Sequence, residues 1–241
     1  MDGEPRAIVE AADAANVAAL VCAGVDAESS RRSQELADAI SGVFATAGVH
    51  PHSASDFDAY AGSAVEGLLA DPRVVAVGET GLDYYRMSSP ADDQRKAFRA
   101  HCGLARETGK PIVVHTREAW DDVLAILEEE AVERVVLHCF SGDAVIAKEV
   151  AARRYYCSFA GNISYPKNAA LRLAATEIPA DLLLVETDSP FLTPQSVRGT
   201  DNTPANIRLV VEALAEARGE DSARVAGATT RNARAAFALP G

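Results

Sequence analysis

Five stretches of the 241-residue sequence place a polar side chain at the end of a short apolar run: Glu79 in VVAVGETGLDYY, His115 in PIVVHTR, His138 in RVVLHCFSG, Glu186 and Asp188 in LLLVETDSPFL, and His50 and His52 in ATAGVHPH. Among them, Glu79, His115, His138 and Asp188 make a mixed nitrogen and oxygen donor set suited to a divalent cation. Such a cation brings the pKa of a bound water down to about 7 and polarises a phosphoryl or carbonyl oxygen, so hydrolysis needs no nucleophilic side chain. A single histidine after an apolar strand is more often a hydrogen-bonded structural residue than a ligand. Four ligand-type residues at matching strand ends are better explained by one shared site.

The four are separated by whole structural units, so only the fold can assemble them. Short β-branched runs alternate with longer Ala/Leu/Glu/Arg-rich stretches, the pattern of parallel βα units. Strands are expected near 18–23, 43–49, 74–77, 112–114, 135–137, 155–159 and 182–185, with helices over 29–41, 56–71, 91–108, 119–130, 143–153 and 167–176, and a final pair after Pro204 and Ser222. Ser222 is an N-cap candidate, and Pro90 followed by Ala91 and Asp92 has a first-turn composition. The expected class is α/β, a (β/α)8 barrel of the TIM type, in which residues past the C-terminal strand ends face the mouth. Seven strands are read where eight would close the barrel. The first segment, 5–17, reads as a helix with Ile8, Val9, Ala12 and Val17 toward one side and no strand before it.

Composition narrows the setting. A chain that is 48% hydrophobic, with no Pro/Gly/Ser-rich linker, favours a single domain over 1–241. Net charge is −12, which supplies no general basic surface for gripping duplex nucleic acid. No apolar run is long enough to span a bilayer, and the N-terminus is not a targeting segment, so a cytoplasmic location is expected. The cysteines lack CxxC spacing; Cys22, Cys139 and Cys157 sit in strand-like runs and read as small packing residues. Strand alternation would turn Cys139 away from His138. Trp120 reads as packing, His52 as loop filling, and His101 as exposed or partly packed.

The strings GVHPH, GETGLDYY, PIVVHTR, HCFSG and ETDSPFL resemble, in order and spacing, the successive signatures of the TatD family of deoxyribonucleases, and the similarity runs from about Val17 to the C-terminal TTRNARAAF. The resemblance implies a metal-dependent hydrolase with up to two divalent cations per chain, Mg, Mn or Zn. Glu79 would bridge the cations, His115 and His138 would complete one site, and Asp188 would serve the other and orient or deprotonate the attacking water. His50, Arg117 and Arg198 would lie near the substrate phosphate. The implied substrate is a DNA end or a small phosphoester. An ester or amide, such as an aminoacyl ester on tRNA, is the alternative on the same cation chemistry. Oligomeric state stays open.

Two features depart from the family pattern. Its members begin with a strand bearing a His-x-His pair, and the only such string here, His50-Pro51-His52, belongs to another motif. Either Met1 is expected to be an internal start, or the chain is an impaired homologue acting as a scaffold or binding protein. The loop PFLTPQSVRGTDNTP is also less basic than is common in the family: Val197 precedes Arg198, Thr200 and Asp201 take basic positions, and Thr203 replaces an acid.

Overall fold

A computed structural model describes residues 4–240. The chain packs as two compact units, one of Ala19–Leu137 and one of Met1–Ala18 with His138–Gly241.

The first unit is a run of parallel βα repeats: β1 (Leu20–Cys22), α2 (Ala27–Ala39), β2 (Val43–Ala47), α3 (Ala59–Leu69), β3 (Val74–Asp83), α4 (Ala91–Thr108), β4 (Ile112–Arg117), α5 (Trp120–Glu129) and β5 (Val135–Leu137). Neighbours pair in parallel, from Leu20 opposite Val43 through to Val114 opposite Leu137. All five residues of β2 and all ten of β3 are buried, as the apolar runs of a parallel sheet covered on both faces require. Local signals set the helices. Asp26 and Ser29 form a reciprocal capping box at the start of α2, and Asp58 caps α3. Helix α4 opens with Asp92 and Asp93 and stops at Gly109, whose φ of 65° suits the left-handed turn that ends it. The Arg73 guanidinium donates to the carbonyls of Ala37, Ile40 and Val43, closing the carbonyl end of α2.

The second unit holds α1 (Pro5–Ala14), α6 (Ala144–Ala152), β6 (Tyr156–Phe159), α7 (Ala169–Glu177), β7 (Leu183–Val185), α8 (Ile207–Arg218) and α9 (Ser222–Phe237). Strands β6 and β7 pair in parallel, Cys157 opposite Leu183. Asp143 caps α6 through two backbone N–H groups. Asp221, one residue before the expected Ser222, caps α9: its carboxylate accepts from the Arg224 N–H, and Ser222 is the first helical residue. Pro5–Ala14 is helical as the sequence indicates, with Ala12 fully buried.

Seven strands are present among the described residues, at the places expected, and two are longer than the sequence pattern suggested. Strand β3 runs on to Asp83 and β4 to Arg117, so Glu79 and His115 lie inside strands rather than past their ends. No described helix is long and apolar enough to cross a membrane.

Candidate metal sites

In the first unit, an irregularity in β3 aims Glu79. Val77 pairs with Ile112 and Thr80 with Val114, so Gly78 and Glu79 together face the single residue Val113. This two-against-one arrangement is a β-bulge, which redirects a side chain. It needs glycine: Gly78 has φ of 129° and Gly81 132°, and a Cβ on Gly81 would lie 2.1 Å from the His115 carbonyl oxygen. The backbone N–H of Glu79 donates to the Gly24 carbonyl at 2.7 Å, which fixes the bulge against the end of β1.

Around the bulge, Glu79 Oε1 lies 3.1 Å from His115 Nδ1 and 3.5 Å from His50 Nε2. On the other side of the His115 ring, Nε2 lies 3.3 Å from Asp83 Oδ2, which is also 2.8 Å from His52 Nε2. Asp83 is fully buried; burial works against its ionisation, but the Arg86 N–H and the imidazoles of His52 and His115 more than offset this and hold its carboxyl down at about 2. An ionised carboxylate accepts only, so His52 donates its Nε2–H to Asp83, and a His115 tautomer protonated on Nε2 would donate to it as well. The Nδ1 lone pair of His115 is then left against a second carboxylate, that of Glu79. A lone pair beside a carboxylate in this way suits a cation, and the ligand-type atoms of His50, Glu79 and His115 all lie within 4.8 Å of one another.

His50 plays another part. Its Nδ1 accepts the His52 backbone N–H at 3.1 Å, capping the short helical turn Pro51–Asp56. Burial pushes its pKa below the ordinary histidine value, so near pH 7 the ring is neutral and carries its proton on Nε2. His50 therefore presents an Nε2–H toward Glu79, and it is also one of the three residues whose ligand-type atoms could hold a cation.

In the second unit, His138 follows β5 directly, and its Nδ1 lies 3.0 Å from Glu186 Oε2 while Nε2 lies 3.6 Å from Asp188 Oδ1. His138 thus faces two carboxylates, one at each ring nitrogen. Glu186 Oε1 is buried with no hydrogen-bond partner, and His138, Glu186 and Asp188 also bring ligand-type atoms within 4.8 Å. Asp188 is held on a tight loop at φ of 53°, where Asn202, fully buried, donates to the Thr187 and Phe191 carbonyls.

Thus Glu79 and His115 are brought together in one unit, with His50 beside them, and His138 and Asp188 in the other. Arg117 stacks with its guanidinium carbon 3.9 Å from the centre of the Tyr85 ring, and Arg198 at 4.6 Å over Tyr165. Neither pairs with a carboxylate among the described residues. Three residues escaped the sequence reading. Asp83 lies four residues beyond Glu79 on the same strand face, a signal hidden by ending the strand too early. Glu186 was visible two residues before Asp188 but was given no role, and His52, read as loop filling, is bonded to Asp83. Two further expectations fail. His101 is fully buried, accepting from the Val49 N–H at 3.0 Å. Cys139 lies beyond β5 with φ of 45°, so strand alternation does not set its direction.

Comparison with known proteins places this geometry in context. The sequence profile of the family described as TatD related DNase matches residues 1–238. Over 240 residues the chain is 37% identical to the uncharacterized metal-dependent hydrolase YabD of Bacillus subtilis, covering 99% of this chain and 94% of that one. It is 35% identical to the 3'-5' ssDNA/RNA exonuclease TatD of Escherichia fergusonii, over 96% of this chain and 92% of the other. The crystal structure of YJJV, a TatD homolog from Escherichia coli, superposes with a TM-score of 0.93 at 27% identity, over 99% of this chain and 95% of that one, which bears out the TIM-type βα class. The ordered motifs, the two carboxylate–imidazole sets and these likenesses agree: the chain belongs to the TatD related DNase family of metal-dependent hydrolases.

Proposed function

We propose that this protein is a phosphodiesterase that removes nucleotides from an accessible single-stranded nucleic-acid end. The observation that carries this reading is the gathering of imidazoles and carboxylates in each unit, His115 with Glu79 and His138 with Glu186 and Asp188, donor types that suit divalent cations. The exonuclease name of the Escherichia fergusonii relative supports the substrate class.

A divalent cation bound at these residues would lower the pKa of a water to about 7 and polarise a phosphoryl oxygen. Glu79 and His115 would hold one cation, His138 and Asp188 would contribute to a second, and Mg²⁺, Mn²⁺ and Zn²⁺ all suit such donors. Asp188 orients the attacking water and takes its proton. His50 donates Nε2–H to a non-bridging phosphate oxygen. Arg117 and Arg198, free of carboxylate partners, supply the planar donors that phosphate accepts in pairs. We read 1–241 as a single domain. Cys22, Cys102, Cys139 and Cys157 form no disulfide among the described residues.

The test uses a single-stranded oligonucleotide labelled at one end, with Mg²⁺ or Mn²⁺ as the only added metal. The protein is expected to release mononucleotides stepwise, and Glu79→Ala or Asp188→Ala to lower kcat by at least about 10³-fold, the scale seen when groups that stabilise transition-state charge are removed. Equal release by the wild type and both variants would reject the assignment. Two bound equivalents of metal per chain would further exclude the scaffold reading.

A further inference from the structure

We propose that Asp83 is a positioning residue: one buried carboxylate that fixes the ring of His115 for cation binding and, through His52, the ring of His50 for phosphate contact. The inference rests on the reading of Glu79 and His115 as a cation site.

The argument starts from the hydrogen-bond capacity of Asp83, which the surrounding donors fill. Oδ1 accepts the backbone N–H groups of Tyr85 at 3.0 Å and Arg86 at 2.8 Å. Oδ2 faces His52 Nε2 at 2.8 Å and His115 Nε2 at 3.3 Å. With no solvent exposure and four donors around it, the carboxylate has no capacity left for a metal ion or substrate. Its effect must therefore pass through the two rings it holds.

For His115 the effect is a choice of tautomer. A proton kept on Nε2 leaves the Nδ1 lone pair directed at the Glu79 side, where the cation donors converge. Carboxylates that accept the remote N–H of a ligating imidazole commonly set ring orientation and raise ligand basicity in this way. For His52 the effect is an anchor. The ring held by Asp83 fixes the residue whose backbone N–H caps His50 Nδ1, so the orientation of the His50 Nε2–H follows from the same carboxylate. The bland alternative is that Asp83 only builds the turn after β3, using Oδ1.

Asp83→Asn separates the two roles. The amide oxygen can keep both turn bonds, but its NH₂ cannot accept from the imidazoles, and His115 is driven toward the other tautomer, with its proton on Nδ1. Binding of Mn²⁺ alone, followed by the electron paramagnetic resonance signal of the free ion, is the readout. The variant is expected to melt within about 4 °C of wild type, a shift of roughly 1 kcal/mol or less for a chain of this size. One Mn²⁺ equivalent should weaken by about 10–100-fold. A folded variant that binds every equivalent as wild type does would overturn the proposal, and a wild type that binds no Mn²⁺ would sink the cation reading itself.

Should Asp83→Asn fail to fold, the wild type still decides. In the Zn²⁺-loaded protein, the imidazole ¹H–¹⁵N signal that disappears in His115→Asn should show a protonated Nε2 and a metal-shifted Nδ1. An unprotonated Nε2 would refute the assignment.

Discussion

At the scale of single residues, chemistry and stability are carried by different histidines. His101, on α4, donates from Nδ1 to the Ala97 carbonyl at 2.7 Å and accepts the Val49 N–H on Nε2, one residue before His50. Burial, only partly offset by the Ala97 bond, pulls its pKa down from 6.5 to about 4. Between those values the unfolded chain binds a proton that the folded chain refuses. Its contribution to stability is therefore complete above the unfolded value and is lost as pH falls toward 4, by up to about 3 kcal/mol. Denaturant unfolding at pH 7 and pH 5 should show this loss in wild type and a smaller one in His101→Gln; parallel behaviour of the two proteins would remove His101 from the account. The sequence could not reveal this role, because His101 looks like any polar residue on a helix whose neighbours Ala97 and Cys102 are small, and burial depends on what covers them.

At the scale of elements, sequence patterning was most legible where a run is continuously apolar and least where glycine interrupts it. Strands β2 and β5 and helix α4 lie where their residues indicate, since hydrophobic runs and capping chemistry are local signals. Strand β3 was cut short at Gly78, yet the glycine marks a bulge and not an end. The same error concealed Asp83, while Glu79 and His115 remained visible as charged breaks in apolar runs. Gly81→Ala tests the element directly. Its φ of 132° strains an alanine, and the added Cβ meets the His115 backbone, so the expected cost is at least about 2 kcal/mol. The variant should also bind Mn²⁺ more weakly at the Glu79 and His115 set, because β3 and β4 must separate. A stable variant with wild-type binding would show that the close approach is dispensable.

At the scale of the whole molecule, net charge decides how substrate is approached. A chain at −12 attracts no polyanion at long range, so grip must come from cations and the few arginines near them. With only Arg117 and Arg198 assigned to phosphate, log KM for a single-stranded oligonucleotide should change with log salt by a slope of about 2 or less, at roughly 0.7 per phosphate contact. A slope of about 5 would demand an extended basic track that the sequence does not contain. The residues proposed as donors stood out, and the fold class was legible, because motifs and hydrophobic runs are written in order along the chain. The carboxylates behind the donors were not, because their meaning lies in which nitrogen they face. The unbroken burial of β3 bears on how the protein recovers from chelation. Thermal fraying begins where backbone is hydrated, and the ten buried residues around Glu79 are the last such place in their unit. A chelator that strips a bound ion should therefore leave these donors in register, and reloading should be limited by diffusion of the metal rather than by refolding.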